Sequence, residues 1–289
     1  MKPNFFIVGT PKAGTTSLYH YLEQHPQIFL SPVKETNFFS YEEIKAQGLF
    51  YNEEHISTIQ QYLYQFDKVR TEKAIGEASV SYLFYPRIAE KIKQFNPESK
   101  IIIVLRNPID RGFSHYLMDK RLGYTNRSLE DVIHQKGADR KQPLYYQQYI
   151  ALGLYHEQVA RYLSVFGADK VKIFYFEEMV KDIGKTIRDL YRFLEVDDDS
   201  TIETYEKHNT FETAKNPIIA KLYTHKRIRT TIKQIMGNEA GSRLKTFFFS
   251  KENKPVLPSH LKQELINIYK PDIIKTGELL QKDLSHWLT

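Results

Sequence analysis

Two short runs of uninterrupted apolar residues, each ending at a polar turn and leading into a helical pattern, organise the hydropathy of this chain. The first, Phe5-Phe6-Ile7-Val8, stops at Gly9 and Pro11; the second, Ile101 to Leu105, stops at Arg106. A strand that is apolar at every position belongs inside a parallel sheet covered on both faces, because a sheet wet on one side alternates. After the first turn Leu18, Tyr21 and Leu22 recur at helical spacing, and after the second a helical stretch carries Ser114. Two more helices are predicted. One runs from Leu152 to Phe166, with Tyr155, Val159, Tyr162 and Leu163 in phase and Gly167 as its stop, and the other carries Ile187, Leu190, Tyr191 and Leu194. Strand, turn and helix in repetition predict an α/β fold: a single domain over residues 1–289, with a central parallel sheet flanked by helices.

The turn after the first strand reads as a phosphate cradle. Gly14, Thr15, Thr16 and Ser17 fall at a helix N-terminus, where unpaired N–H groups and the positive end of the helix dipole favour an anion. Gly9 to Gly14 has the glycine spacing of the nucleoside-triphosphate P-loop, but Thr15 stands where that motif needs Lys, and Lys12 lies inside the loop. A plain strand-to-helix turn is the structural alternative. The second strand ends on Arg106, where a P-loop NTPase would deliver a magnesium-binding Asp. A guanidinium there suits an anion, and ligands of open parallel sheets bind along the carboxyl edge. Ser114, eight residues on, is placed to join Arg106 on one phosphate; the competing reading pairs Arg106 with Asp110.

Composition narrows the function classes. With 41% hydrophobic and 26% charged residues and a mean hydropathy of −0.49, the chain has a soluble composition, and no apolar run approaches the ~20 residues of a membrane helix. The N-terminal run is too short for a signal-peptide core, so a cytoplasmic protein without a membrane partner is expected. Absence of cysteine excludes disulfides, thiolate zinc sites and Cys nucleophiles; the ten His form neither H-x-x-x-H nor H-E-x-x-H, so no metal site is expected. The net charge of +6 resides in residues 221–245, where seven basic side chains face one acid, Glu239. A solvated helix face or an anionic acceptor accounts for it; without a nucleic-acid-binding motif around it, nucleic acid is not expected.

Taken together, Thr10 to Ser17 (TPKAGTTS) and Leu105 to Tyr116 (LRNPIDRGFSHY) resemble the two nucleotide motifs of sulfotransferases that use 3′-phosphoadenosine 5′-phosphosulfate (PAPS). The resemblance extends through Lys34 to Phe39 (KETNFF), similar to the KExxFF segment of the heparan-type and related bacterial branch. It continues in Gly76 to Ser79, Val171 to Glu177 and Asp283 to Leu288. It implies a P-loop-kinase-like fold, PAPS as donor and 3′,5′-ADP as product. Lys12, Ala13, Gly14, Thr15, Thr16 and Ser17 would hold the 5′-phosphosulfate, Arg106 and Ser114 the 3′-phosphate, and Lys215 would be a further cofactor contact. Lys215 is all that matches a late cofactor-closing loop, in Ala214-Lys215-Asn216-Pro217. Lys12 and Glu35 are the implied catalytic pair, with no metal: Lys12 meets charge on the leaving phosphate and Glu35 deprotonates the acceptor. On residues alone Lys34-Glu35 reads as a surface ion pair, and His20, His25 and His115 are rival bases. The implied acceptor is a carbohydrate or small-molecule metabolite; on residues alone Tyr145 to Tyr149 read as a candidate wall for it or, equally, as plain structural tyrosines. A kinase on a variant P-loop and a non-catalytic nucleotide-binding module are the other function classes.

Overall fold

In a computed structural model that describes residues 1–51, 56–137, 140–198, 212–214, 249–251 and 255–289, both apolar runs become neighbouring strands at the middle of a parallel sheet. In chain order the strands are β1 (Phe5–Gly9), β2 (Ile28–Leu30), β3 (Ala74–Ala78), β4 (Lys100–Leu105) and β5 (Val171–Tyr175), arranged β2-β3-β1-β4-β5. A separate antiparallel pair joins β6 (Glu212–Ala214) to β7 (Phe249–Lys251).

The side chains of these continuous apolar strands still alternate between faces. Phe6, Val8, Ile75, Ile101, Ile103 and Leu105 enter one core, closed by α3 (Ile59–Tyr64), α4 (Ile88–Phe95), α8 (Tyr155–Phe166) and α11 (Ser259–Leu280). Phe5, Ile7, Ala74, Ala78, Ile102 and Val104 enter the other, closed by α1 (Thr15–Leu22) and α10 (Ile183–Leu194). Two covered faces explain why neither strand could carry a polar position. Across β1 and β4 the register runs Phe6↔Ile101 and Ile7↔Ile102, then shifts so that Gly9 faces Ile103. That irregularity bends β1 just before the loop that follows it, a common device beside functional sites.

The remaining described helices are α2 (Tyr41–Gln47), α5 (Pro108–Arg121), α6 (Leu129–Ile133), α7 (Gln142–Tyr149) and α9 (Phe176–Lys181). Asn107 caps α5 by accepting the Ile109 N–H at 3.0 Å, with Pro108 at the first helical position. As predicted, Gly167 ends α8, with a φ of 84°. Among the described residues no helix is long and apolar enough to cross a membrane.

Of the two readings of the α7 tyrosines, the structural one holds for Tyr145 and Tyr149, which lie in the core, their hydroxyls donating to the Tyr124 carbonyl at 3.2 Å and to Asp119 at 2.9 Å. Internal acceptors let these polar tips sink inward, which residue type alone could not reveal.

Candidate active site

The loop leaving β1 is a tight backbone nest. Thr10 donates its N–H to the Val104 carbonyl at 3.0 Å, tying the loop to β4, and Lys12 and Gly14 both take left-handed backbone, with φ of 70° and 83°. For Lys12 that conformation costs about 1–2 kcal/mol. Gly14 serves a second purpose, since a Cβ there would press to 3.1 Å from the Phe176 ring. It is also the N-cap of α1, and no side chain caps the helix. Its carbonyl takes the Leu18 N–H at 3.1 Å, so the N–H groups of Thr15, Thr16 and Ser17 precede the first intrahelical bond. Ala13 and Thr15 are buried, while Thr16 and Ser17 are exposed. Uncapped donors on the positive end of a helix form an anion seat.

Arg106, at the end of β4, reaches this same loop. Its Nη1 donates to the Lys12 carbonyl at 2.8 Å, and its guanidinium lies over the Phe176 ring, 4.5 Å from the centroid. Asp110 lies out in solvent and takes no hydrogen bond from it. Tyr155 donates to the Arg106 carbonyl at 2.8 Å, and Glu177 accepts the Asn107 N–H at 2.9 Å, so the turn is held from both sides. Burial pulls the Arg106 guanidinium below its ordinary pKa, and its Nε has no hydrogen-bond partner. A buried donor without an acceptor costs about 1–3 kcal/mol, a cost that an arriving anion relieves. Ser114 lies two turns into α5, half-buried.

Glu35 sits at the carboxyl edge of β3. Its N–H donates to the Ala78 carbonyl at 2.9 Å, its Oε2 accepts the Val80 N–H at 2.8 Å, and its Oε1 pairs with Lys34 Nζ. The ion pair read from sequence therefore exists, but it is largely shielded, with side-chain exposures of 21% for Lys34 and 24% for Glu35. Glu35 and Asn37 both have left-handed backbone, with φ of 61° and 51°. Ala78 is in register with Ile7 of β1, and the Ser79 and Leu83 N–H groups donate to the Ile7 and Val8 carbonyls. Glu35 and Lys12 thus belong to one corner of the sheet, built where β1 and β3 end. Three strained non-glycine residues gathered there mark a place whose geometry is held by its surroundings.

The rival histidines are accounted for. His20 is exposed and pairs with Glu23 at 3.3 Å. In His25, Nδ1 accepts the Gln27 N–H at 3.1 Å and Nε2 meets the Asp197 carbonyl at 2.8 Å, which occupies both ring nitrogens. His115 is buried, with Nδ1 3.1 Å from the Gln148 carbonyl and Nε2 2.8 Å from the Tyr51 hydroxyl. Burial, with Arg111 and Lys12 nearby, holds it neutral, well below the usual imidazole range. Tyr51 also donates to Asp119 at 2.6 Å, and burial pushes the Asp119 carboxyl up to about 7. This cluster lies behind Lys12, whose Nζ reaches the Met118 sulfur at 3.3 Å. Sequence reading missed Asp119, Tyr51, Glu77 and Glu177; for Asp119 a signal existed, since it follows His115 by four residues on one helix face. Lys215 and the basic segment 221–245 fall outside the described residues.

Comparison with known proteins identifies the family. A family model described as a sulfotransferase domain matches residues 2–267. The solved sulfotransferase from Alicyclobacillus acidocaldarius superposes with a TM-score of 0.75 at 33% identity, covering 100% of both chains. The membrane-associated sulfotransferase kil1 of Dictyostelium discoideum is 31% identical over 140 residues, 46% of this chain and 28% of that protein. Carbohydrate sulfotransferase 15 of Rattus norvegicus is 25% identical over 251 residues, 66% of this chain and 43% of that protein. The human bifunctional heparan sulfate N-deacetylase/N-sulfotransferase 1 is 25% identical over 220 residues, 74% of this chain and 24% of that protein. The chain thus spans less than half the length of these curated relatives. With the family model covering nearly all of it and a five-stranded parallel sheet of the P-loop-kinase-like kind beneath the site, the chain belongs to the sulfotransferase domain family.

Proposed function

We propose that the protein moves a sulfuryl group from PAPS to a hydroxyl or amine of a carbohydrate or small-molecule acceptor. The observation that carries this reading is the convergence of both anion-seeking motifs on one loop, through the hydrogen bond from Arg106 to the Lys12 carbonyl. The residues suit a nucleotide with phosphates at both ends: an uncapped helix start after Gly14 offers one seat, and a buried guanidinium with an unpartnered Nε offers the other.

Bound across these seats, PAPS supplies an electrophilic sulfur whose bond to the bridging phosphate oxygen breaks as the acceptor atom bonds to it, releasing 3′,5′-ADP. The backbone of Lys12, Ala13 and Gly14 and the first-turn N–H groups of Thr15, Thr16 and Ser17 hold the 5′-phosphate. Arg106 and Ser114 hold the 3′-phosphate, and Lys215 adds a contact from its own segment. The Lys12 ammonium stabilises the charge left on the departing phosphate. Glu35 takes the acceptor proton as the new bond forms and later passes it to water. Its anchoring by Lys34 and the Val80 N–H holds the carboxylate in one orientation, which favours a positioned base over a wandering surface glutamate. The names of the curated relatives point toward glycans as acceptors.

The test offers the purified protein PAPS with a panel of glycans, amines and alcohols and follows 3′,5′-ADP and sulfated product by mass. Glycan-dependent release is expected. Magnesium-dependent consumption of ATP, with no release from PAPS, would replace the reading by a kinase.

A further inference from the structure

Behind the Glu35 loop lies a second glutamate that the proposed chemistry does not use. Glu77, on β3, is fully buried on the α3 and α4 side of the sheet. Four hydroxyls surround it. Thr36, Ser79 at 2.6 Å and Tyr82 at 2.7 Å donate to its Oε1, and Tyr62 donates to its Oε2. Burial raises the carboxyl above the ordinary glutamate range, and these four hydrogen bonds offset that only in part. Each of the first three hydroxyls has a further partner: Ser79 Oγ accepts the Asn37 N–H at 3.0 Å, Thr36 Oγ1 the Phe38 N–H at 3.4 Å, and Tyr82 the Phe39 N–H at 3.3 Å. A hydroxyl has one proton to give, so an oxygen that accepts a backbone N–H gives its own proton elsewhere. Glu77 takes all three.

We infer that Glu77 is the positioning residue for Glu35: its carboxylate orients Thr36, Ser79 and Tyr82 so that their oxygens receive three consecutive backbone N–H groups of the loop that carries Glu35. The connection to Glu35 is short. Asn37, held through its N–H by Ser79, donates from Nδ2 to the Glu35 carbonyl at 3.2 Å, and its Oδ1 accepts from Ser81 at 2.6 Å. Phe38 stacks on Tyr62 at 4.4 Å, closing the same network from the aromatic side. Left-handed backbone at both Glu35 and Asn37 does not persist unaided, and this bonding maintains it. An apolar residue at 77 would free the three hydroxyls to turn toward other acceptors. A neutral amide carries no charge and replaces one acceptor oxygen by an NH2 that accepts nothing, so it cannot serve all four hydroxyls now divided between Oε1 and Oε2.

The inference rests on the reading of Glu35 as base, and the experiment separates the two. Glu35→Gln, Glu77→Gln and the double variant are compared for turnover of PAPS with N-deacetylated heparosan and with chondroitin, for 3′,5′-ADP affinity by calorimetry, and for hydrogen exchange at the amides of residues 37–39. Glu77→Gln is expected to speed exchange at those amides by about tenfold and to lower kcat by about tenfold. The KM for PAPS and the affinity for 3′,5′-ADP should stay within twofold, and the double variant should be no slower than Glu35→Gln alone. Unchanged exchange at 37–39, or a loss that multiplies that of Glu35→Gln, overturns the positioning role and leaves the base in place. Full turnover in Glu35→Gln overturns the base. Should Glu77→Gln fail to fold, Ser79→Ala and Thr36→Val keep the carboxylate and each remove one relaying hydroxyl. They are expected to free the Asn37 and Phe38 amides respectively, and protection retained in both refutes the relay.

Discussion

Arg106 Nη1 donates to the carbonyl of Lys12 at 2.8 Å, joining two motifs that lie 94 residues apart in the chain. The guanidinium proposed to face the 3′-phosphate therefore also fixes the backbone of the loop proposed to seat the other end of the nucleotide. Losing it disturbs both seats.

Arg106→Lys keeps the charge but removes the planar fork and the face lying over Phe176. A hydrogen bond to a charged group is worth about 1.5–3 kcal/mol, so affinity for 3′,5′-ADP should fall about 10- to 100-fold. Calorimetry reads this directly. Binding within twofold of the parent would show that the charge alone suffices.

Lys12, proposed to stabilise the leaving phosphate, sits on strained backbone, with a φ of 70°. Lys12→Ala keeps the strain and Lys12→Gly relieves it, while both remove the ammonium. Both should lose more than about a hundredfold in kcat, by analogy with the loss of one stabilising donor at a developing charge. The Gly variant should be the more stable of the two by about 1 kcal/mol in urea denaturation. Equal stability would place the strain elsewhere.

Asp119 predicts a pH dependence. Its carboxyl is pushed up to about 7, mainly by burial, while Tyr51, Tyr149 and Lys12 pull it down. The folded state thus holds this proton more tightly than the unfolded chain does. Its contribution to stability is full below the ordinary carboxylate range and is lost as the pH climbs to about 7. His115, beside Tyr51 and Arg111, works in the opposite direction: it is held neutral, so the fold gains as pH rises through the ordinary imidazole range. Asp119→Asn removes one arm of this balance. Relative to the parent it should gain stability between pH 5 and pH 7, with a slope of at most about 1.4 kcal/mol per pH unit. A constant difference, measured by urea unfolding at each pH, would mean that Asp119 does not titrate in this window.

Gly76 lies under the Phe5 ring, where an added Cβ would fall 2.0 Å from the ring carbon Cζ. Gly76→Ala should cost about 1–3 kcal/mol, the usual penalty of overpacking a core, and Phe5→Leu should recover part of it in the double variant. Additive losses would show that the two positions do not share this space.

The chain announced its central strands and the helix start after Gly14 plainly because those features follow from local rules. Apolar runs without alternation mean two covered faces, and Gly14 before a helical period means a helix start. Two of the rival histidines also resolve in local terms, since His20 pairs one turn away and His25 binds the Gln27 N–H. What stayed hidden depends on strand order. Glu77 reads as one more strand residue until β3 is set beside β1 and Tyr62, Tyr82 and Thr36 converge on it. Tyr145 and Tyr149 of α7 left two readings open for the same reason. Whether an aromatic with a polar tip faces a ligand or the interior depends on which acceptor waits across the core, and for Tyr149 that acceptor is Asp119, 30 residues away.

Trp287 is almost wholly buried against Tyr155 and Tyr175, and its carbonyl receives Asn107 Nδ2 at 3.4 Å, beside the turn that presents Arg106. During synthesis the ribosome makes that turn roughly 180 residues before the tryptophan that buttresses it. A nascent chain halted in the 270s would therefore possess both motifs and still lack the bond that steadies Asn107 beside Arg106, so the nucleotide capture proposed for this site would come late in the life of each newly made molecule.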